Sequence, residues 1–138
     1  MLLGGYFLYS GINHFRQHNT LAEYASSKNV PAPDAGVIAT GVALTVGGAS
    51  TVLGVKPKLG AAAIIGFLAG VSPIMHDFWN HEDPSQRQAD MNHFTKNMAL
   101  LGGALVLAGI EEPWPISLAE KRKPGLRKVL AFSKRLVA

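Results

Sequence analysis

The chain has 138 residues, 48% of them hydrophobic and 16% charged, with a formal net charge of +4 and no cysteine. That length is one domain's worth, and the composition is more apolar and less charged than an ordinary water-soluble domain. Disulfides, thiolate catalysis and cysteine-bound metals are excluded. Because the excess positive charge lies mainly after Ile110, it forms no basic face for nucleic acid.

The mean hydropathy of +0.17 averages over strong segregation. Met1–Phe15, Ala35–Val55, Leu59–His76 and Asn97–Ile110 carry no charge at all. With their flanking signals they predict helices over about 1–15, 35–55, 59–79 and 84–110. The first has no basic lead and no small-residue cleavage site, so it reads as a helix that is kept rather than a signal peptide. It is shorter than the ~20 residues a bilayer core requires. Either it is tilted and shallow, or the segment begins upstream of Met1.

Thr20-Leu-Ala-Glu23 fits a capping box opening a short helix to about Lys28. Asn29 suits the left-handed position that closes it, and Val-Pro-Ala-Pro forbids continuation. Asp34 is the expected N-cap of the next helix. That helix has small residues at every fourth position, Ala39, Ala43, Gly47 and Thr51. The third repeats the device at Ala62, Gly66 and Gly70, and the fourth with Ala99, Gly102 and Gly103. In water each helical glycine costs ~1 kcal/mol relative to alanine, whereas in lipid small residues let helices approach closely. Gly66, Gly70, Gly102 and Gly103 are therefore the expected helix-packing positions.

Pro57 stands just ahead of a helix start, and Pro73 inside the third helix predicts a kink. Asp83-Pro84-Ser85-Gln86 supplies an N-cap, a proline at the first helical position and a capping-box glutamine. After Ile110, Glu-Glu-Pro-Trp-Pro ends the fourth helix. The tail then alternates Leu126, Val129, Leu130, Phe132 and Leu136 with Arg127, Lys128, Lys134 and Arg135. It is either a basic amphipathic helix on an anionic leaflet or a solvated end.

The expected fold is all-α, a four-helix transmembrane bundle over residues 1–112 with a basic cytoplasmic juxtamembrane tail over 113–138. Nine Lys and Arg fall on the side of the termini and four on the other. The positive-inside rule thus places both termini in the cytoplasm of a bacterial-type inner membrane. His14, His76-Asp77-Phe78-Trp79 and His93 with Lys96-Asn97 then arrive at one outer level from three helices.

At His76-Asp77-Phe78-Trp79 and Phe94-x-Lys96-Asn97-x-Ala99-Leu100-Leu101-Gly102-Gly103 the chain resembles the DoxX family of small bacterial and archaeal membrane proteins. The likeness extends to Gly11, His14-Phe15, Tyr24-Ala25, Val30-Pro31 and Ile116-Ser117-Leu118. It departs from the family in the short first helix and in Asn29, where glycine is usual. The resemblance implies a four-helix membrane protein associated with redox chemistry, since the namesake is a subunit of an archaeal thiosulfate:quinone oxidoreductase.

Two readings of the outer cluster stand side by side. In one, Asp77 and Lys96 form an ion pair that locks the third helix to the fourth, with Asn97 bonding a freed backbone group. In the other, His14, His76, Asp77, Trp79, His93, Lys96 and Asn97 line a polar pocket for a quinone headgroup or for protons. A metal held by His14, His76 and His93, with His81-Glu82-Asp83 adding ligands, ranks below both, and no metal site is assigned. No nucleophile elbow, phosphate loop or zincin motif occurs, so a complete enzyme is not expected. The function expected is that of a membrane subunit or partner for quinone-linked or oxidative-stress chemistry, with oxidoreductase partner proteins supplying what the chain lacks. The alternative is a non-catalytic scaffold, or a transport or envelope-stress accessory. The lipid bilayer and a homo-oligomer are the other expected partners.

Overall fold

The computed structural model describes residues 1–112 and Trp114. The tail expected over 113–138 therefore lies, Trp114 apart, outside the described residues. All regular structure among the described residues is helical: α1 (Leu2–Arg16), α2 (His18–Ser27), α3 (Pro33–Leu53), α4 (Pro57–Met75) and α5 (Pro84–Gly109), with one 3-10 turn at Phe78–Asn80.

Prolines open three of these helices at their first turn, where a missing amide is harmless and φ is already helical. Asp83 caps α5 as expected, its carboxylate accepting from the Gln86 amide at 2.8 Å. Asn29 takes the left-handed conformation, φ 57°, and the Asn29 and Val30 amides donate to the carbonyls of Ser26 and Ala25.

Two caps differ from expectation. Asp34 lies inside the first turn of α3 and Ala32 holds the cap position, so Asp34 acts through the helix dipole instead. Thr20 lies within α2, which begins at His18. Gln17 alone separates α1 from α2: its amide donates to Asn13 and its carbonyl accepts from Leu21. With the helix restarted so early, no capping box forms at Thr20.

The third long helix also ends earlier than expected, at Met75 rather than 79. Pro73 offers no amide to the Ala69 carbonyl, and the chain leaves the helix two residues later. The Met75 carbonyl, left without a helical partner, accepts the Tyr24 hydroxyl at 2.9 Å. That hydrogen bond ties α2 to the end of α4, so the α2–α3 and α4–α5 connections lie at one end of the molecule.

Four helices share one core. Phe7 of α1, Leu44 of α3, Ile64 and Leu68 of α4 and Ala104 of α5 are all but completely buried. α1 packs chiefly on α3, α3 on α4, and α4 on α5, while α1 meets α5 only sparingly. The closest crossing joins α1 to α3. A Cβ on Gly48 would lie 2.4 Å from the Leu8 amide nitrogen and 2.7 Å from the Gly4 carbonyl oxygen; one on Gly11 would lie 2.5 Å from the Thr45 amide nitrogen. Gly60 meets the Gly47 carbonyl oxygen in the same manner between α4 and α3.

The tight crossings agree only in part with the small-residue spacing, which includes Gly47 against Gly60 and Thr51 against Gly4. A Cβ on Gly66, Gly70 or Gly102 would touch nothing within 4 Å, and one on Gly103 would only reach Leu3 at an ordinary 3.4 Å. Ala39, Ala62 and Ala99 are likewise exposed. The buried residues of α3 are Val37, Gly41, Leu44, Gly47, Gly48 and Thr51, which include Gly47 and Thr51 of the expected stripe but neither Ala39 nor Ala43.

The outward faces are apolar, with Leu2, Tyr9, Ile38, Val42, Val46, Leu59, Ile74, Leu105 and Val106 all exposed. α3 and the segment Pro57–Asn80 are long and apolar enough to cross a membrane. Only 33% and 28% of their apolar windows are buried, far too little for core helices of a water-soluble domain. Both observations point to a membrane protein.

Candidate functional site

The end of the molecule where α2, the 3-10 turn and α5 meet is its polar pole. Lys28, at the C-cap of α2, directs its ammonium into the junction. It donates to Asp77 Oδ1 at 2.5 Å and to Asp90 Oδ2 at 3.5 Å, and stands 3.4 Å from His81 Nε2. Asp77 caps the 3-10 turn and its other oxygen accepts from Asn80 Nδ2 at 3.0 Å. Asp90, on the second turn of α5, takes His81 Nε2 on one oxygen at 2.6 Å and His76 Nδ1 on the other at 3.3 Å. One connected network therefore runs from His76 through Asp90, His81 and Lys28 to Asp77.

The network is sheltered rather than sealed, the side chains of Lys28 and Asp90 each being 13% exposed. Burial works against the Lys28 charge, and the hydrogen bond to Asp77 with the fields of Asp77 and Asp90 more than offsets it, so its pKa is raised. Burial likewise pushes the Asp90 carboxyl up, but the hydrogen bonds from His81 and His76 and the nearby ammonium outweigh it and lower its pKa. Tyr24 is raised, first by burial and then by Asp90. A cavity of about 540 Å³ opens onto the network, lined among others by Tyr24, Asn29, Asp77, His81 and Asp90.

A second cavity, about 130 Å³, lies beneath it and is almost wholly apolar, walled by Leu21, Val37, Phe67, Val71, Ile74 and Met75. Its polar lining residues are His14 and Thr40. His14 Nδ1 donates to the Ser10 carbonyl at 2.8 Å, which leaves Nε2 of the neutral ring as an acceptor. The Thr40 hydroxyl donates to the Gly36 carbonyl at 2.8 Å, so its oxygen too is left to accept. The two linings have no residue in common, but Tyr24 of the polar cavity adjoins Ala25 of the apolar one and its hydroxyl donates to the carbonyl of Met75, which also lines the apolar one.

The expected site residues do not all come together. His76 and Asp77 join the network, and His93 stacks on His76 with ring centroids 5.0 Å apart. His14 stands apart, edge-on to Phe67 at 5.9 Å, so the three histidines do not converge on one ligand. Trp79 joins an aromatic cluster with Phe78 and Phe94 and is half exposed. Lys96 is exposed beside His93 Nδ1 at 3.4 Å, and Asn97 is buried in α5. The Asp77–Lys96 ion pair is replaced by Asp77–Lys28.

Lys28, Asp90 and Tyr24 are the residues that sequence reasoning missed. Asp90 shares a helix with His93 at a spacing of three, a signal for one shared face. Nothing local marks Lys28, whose partner is 49 residues away.

No curated protein and no solved structure matches the chain. One family model, that of DoxX, matches residues 1–77, more than half of the 138. The match covers α1 to α4, all of the first apolar segment and all but the last three residues of the second, and on that ground the chain belongs to the DoxX family.

Proposed function

We propose that the chain is a four-span bundle of a bacterial-type inner membrane, both termini and the 113–138 tail cytoplasmic, that serves as the membrane subunit or partner of a quinone-linked oxidoreductase. The observation that carries this reading is the nearness of the apolar cavity to the polar network, the two being joined by the hydrogen bond from the Tyr24 hydroxyl to the Met75 carbonyl. Chemistry on a quinol needs an apolar slot for the ring and, next to it, groups that take up protons.

The slot has the right scale, since a dry apolar cavity of about 150 Å³ accepts one benzene ring. Its two polar groups, His14 Nε2 and the Thr40 oxygen, are both acceptors. They suit the hydroxyls of a quinol better than the carbonyls of a quinone. A quinol supplies two electrons and two protons. Its residues would hold the ring, exclude water and accept protons at the His76–Asp90–His81 network, while a partner protein takes the electrons.

The test is binding of a short-chain ubiquinol to the protein in nanodiscs, followed by calorimetry. Val37→Trp fills the slot and His14→Ala removes an acceptor, and each should weaken binding at least tenfold. Equal binding by wild type and both variants would refute the reading.

A second reading, a non-catalytic scaffold or a transport or envelope-stress accessory, draws on Gly66, Gly70 and Gly102. These face outward with nothing above them, so a helix of a partner or of a second copy has close access there. Leucine at these positions would then abolish co-purification of the partner while ubiquinol binding stays unchanged.

A further inference from the structure

We propose that Asp77, His81 and Asp90 form a binding site for a divalent first-row transition cation, and that the Lys28 ammonium holds this site until a metal displaces it. The proposal goes beyond the redox reading and stands without it. One ligand atom from each of the three residues lies within 4.8 Å of the other two. The donors are mixed, an imidazole nitrogen and two carboxylate oxygens, the set that suits zinc and its neighbours. They come from three places that the fold brings together: Asp77 caps the 3-10 turn, His81 follows it, and Asp90 lies on α5.

Two further observations point to a cation at their centre. A positively charged group is already there: the Lys28 nitrogen lies 2.5, 3.4 and 3.5 Å from Asp77 Oδ1, His81 Nε2 and Asp90 Oδ2. With the ammonium in place, one contact of the imidazole stays unmet. His81 Nε2 stands 2.6 Å from the Asp90 carboxylate, which asks for a proton on the nitrogen. The same nitrogen faces the Lys28 ammonium, which asks for a lone pair. No protonation state of the imidazole satisfies both contacts. A dication does, because it takes the lone pair of Nε2 and an oxygen from each carboxylate at once.

The surroundings fit such a role. His76 Nδ1 contacts the other oxygen of Asp90, as groups behind metal ligands commonly do to fix their orientation. Asn80 does the same for Asp77. The adjoining cavity of about 540 Å³ has room for water on the metal and for the displaced lysine, whose four-carbon stem swings freely. Two carboxylates balance a dication, whereas a retained ammonium would repel it, so the metal and Lys28 exclude one another.

The experiment is equilibrium dialysis of the full chain in detergent against Zn²⁺, with bound metal counted by mass spectrometry. Wild type, Lys28→Met, and Lys28→Met combined with His81→Ala or with Asp90→Asn are compared. Lys28→Met should bind one Zn²⁺ per chain at least tenfold more tightly than wild type. Adding either second substitution should remove at least tenfold of that affinity. The gain in Lys28→Met is not an effect that misfolding produces, so the result stands even where a double variant folds poorly. Binding by Lys28→Met no tighter than wild type overturns the proposal. So does tightening that survives both second substitutions, since it would come from some other site.

Discussion

The crossing of α1 on α3 makes the sharpest quantitative prediction. In Gly48→Ala the new methyl would lie 2.4 Å from the Leu8 amide nitrogen and 2.7 Å from the Gly4 carbonyl oxygen. Both are backbone atoms of α1, so no side chain can rotate away, and ordinary contact starts near 3.4 Å. α1 must retreat by about 1 Å, and a gap of that size forfeits roughly a quarter to a half of each dispersion contact it opens. The loss extends along the crossing to Gly4 against Thr51 and Gly11 against Thr45. Overpacking of this kind costs about 1–3 kcal/mol, and with backbone on both sides the upper end, about 3 kcal/mol, is expected. The matched control is Gly70→Ala on α4, where the methyl meets nothing within 4 Å and helix propensity favours alanine by up to ~1 kcal/mol. Unfolding in mixed micelles with rising dodecyl sulfate, followed by circular dichroism, measures both. If Gly48→Ala and Gly70→Ala shift the midpoint alike, α1 and α3 do not cross as described.

Two further predictions concern the polar pole. Lys28 and Asp77 are 13% and 22% exposed, so the pair is shielded enough to couple. A double-mutant cycle with Lys28→Met and Asp77→Asn should return a coupling of about 1–3 kcal/mol in the same unfolding assay, and a value near zero would mean the contact is incidental. The network also sets a pH window. The Asp90 carboxyl is lowered from 3.8 in the folded chain, so its contribution to stability is full above that value and is lost as pH falls through the folded one. Lys28 is raised from 10.5, so its contribution is full below that value and is lost as pH rises through the folded one. As pH falls below 3.8, wild type should lose stability more steeply than Asp90→Asn, and parallel acid limbs would contradict the assignment.

Much of the fold is legible in the sequence because a membrane helix announces itself by what it lacks. The charge-free runs locate α1, α3, α4 and the second half of α5, and Asp83, Asn29 and the helix-opening prolines mark several of the ends. The inward faces are harder to read. In water the polar face of a helix identifies the buried one, but in lipid both are apolar and the periodicity loses its sign. Hence Gly66 and Gly70 look like packing residues when the buried stripe of α4 is Gly60, Ala61, Ile64, Leu68 and Ser72. The site was half legible for a related reason. His76, Asp77 and His93 stand out as polar groups at the ends of apolar runs. Lys28 lies in a stretch that is polar throughout, and only the return of α2 onto the Met75 carbonyl brings it to Asp77. Lys96, nearer in sequence, points elsewhere.

The order of the helices bears on how the protein is made. Each long helix rests mainly on the one before it, α3 on α1, α4 on α3 and α5 on α4, with little joining the first to the last. Such a chain never waits for a distant segment before a helix can dock. As each hydrophobic segment leaves the ribosome and enters the bilayer, its partner is already in place. Assembly can therefore keep pace with synthesis, and the contacts that close last are the polar ones at the α2–α5 junction, the bonds on which the candidate site is built.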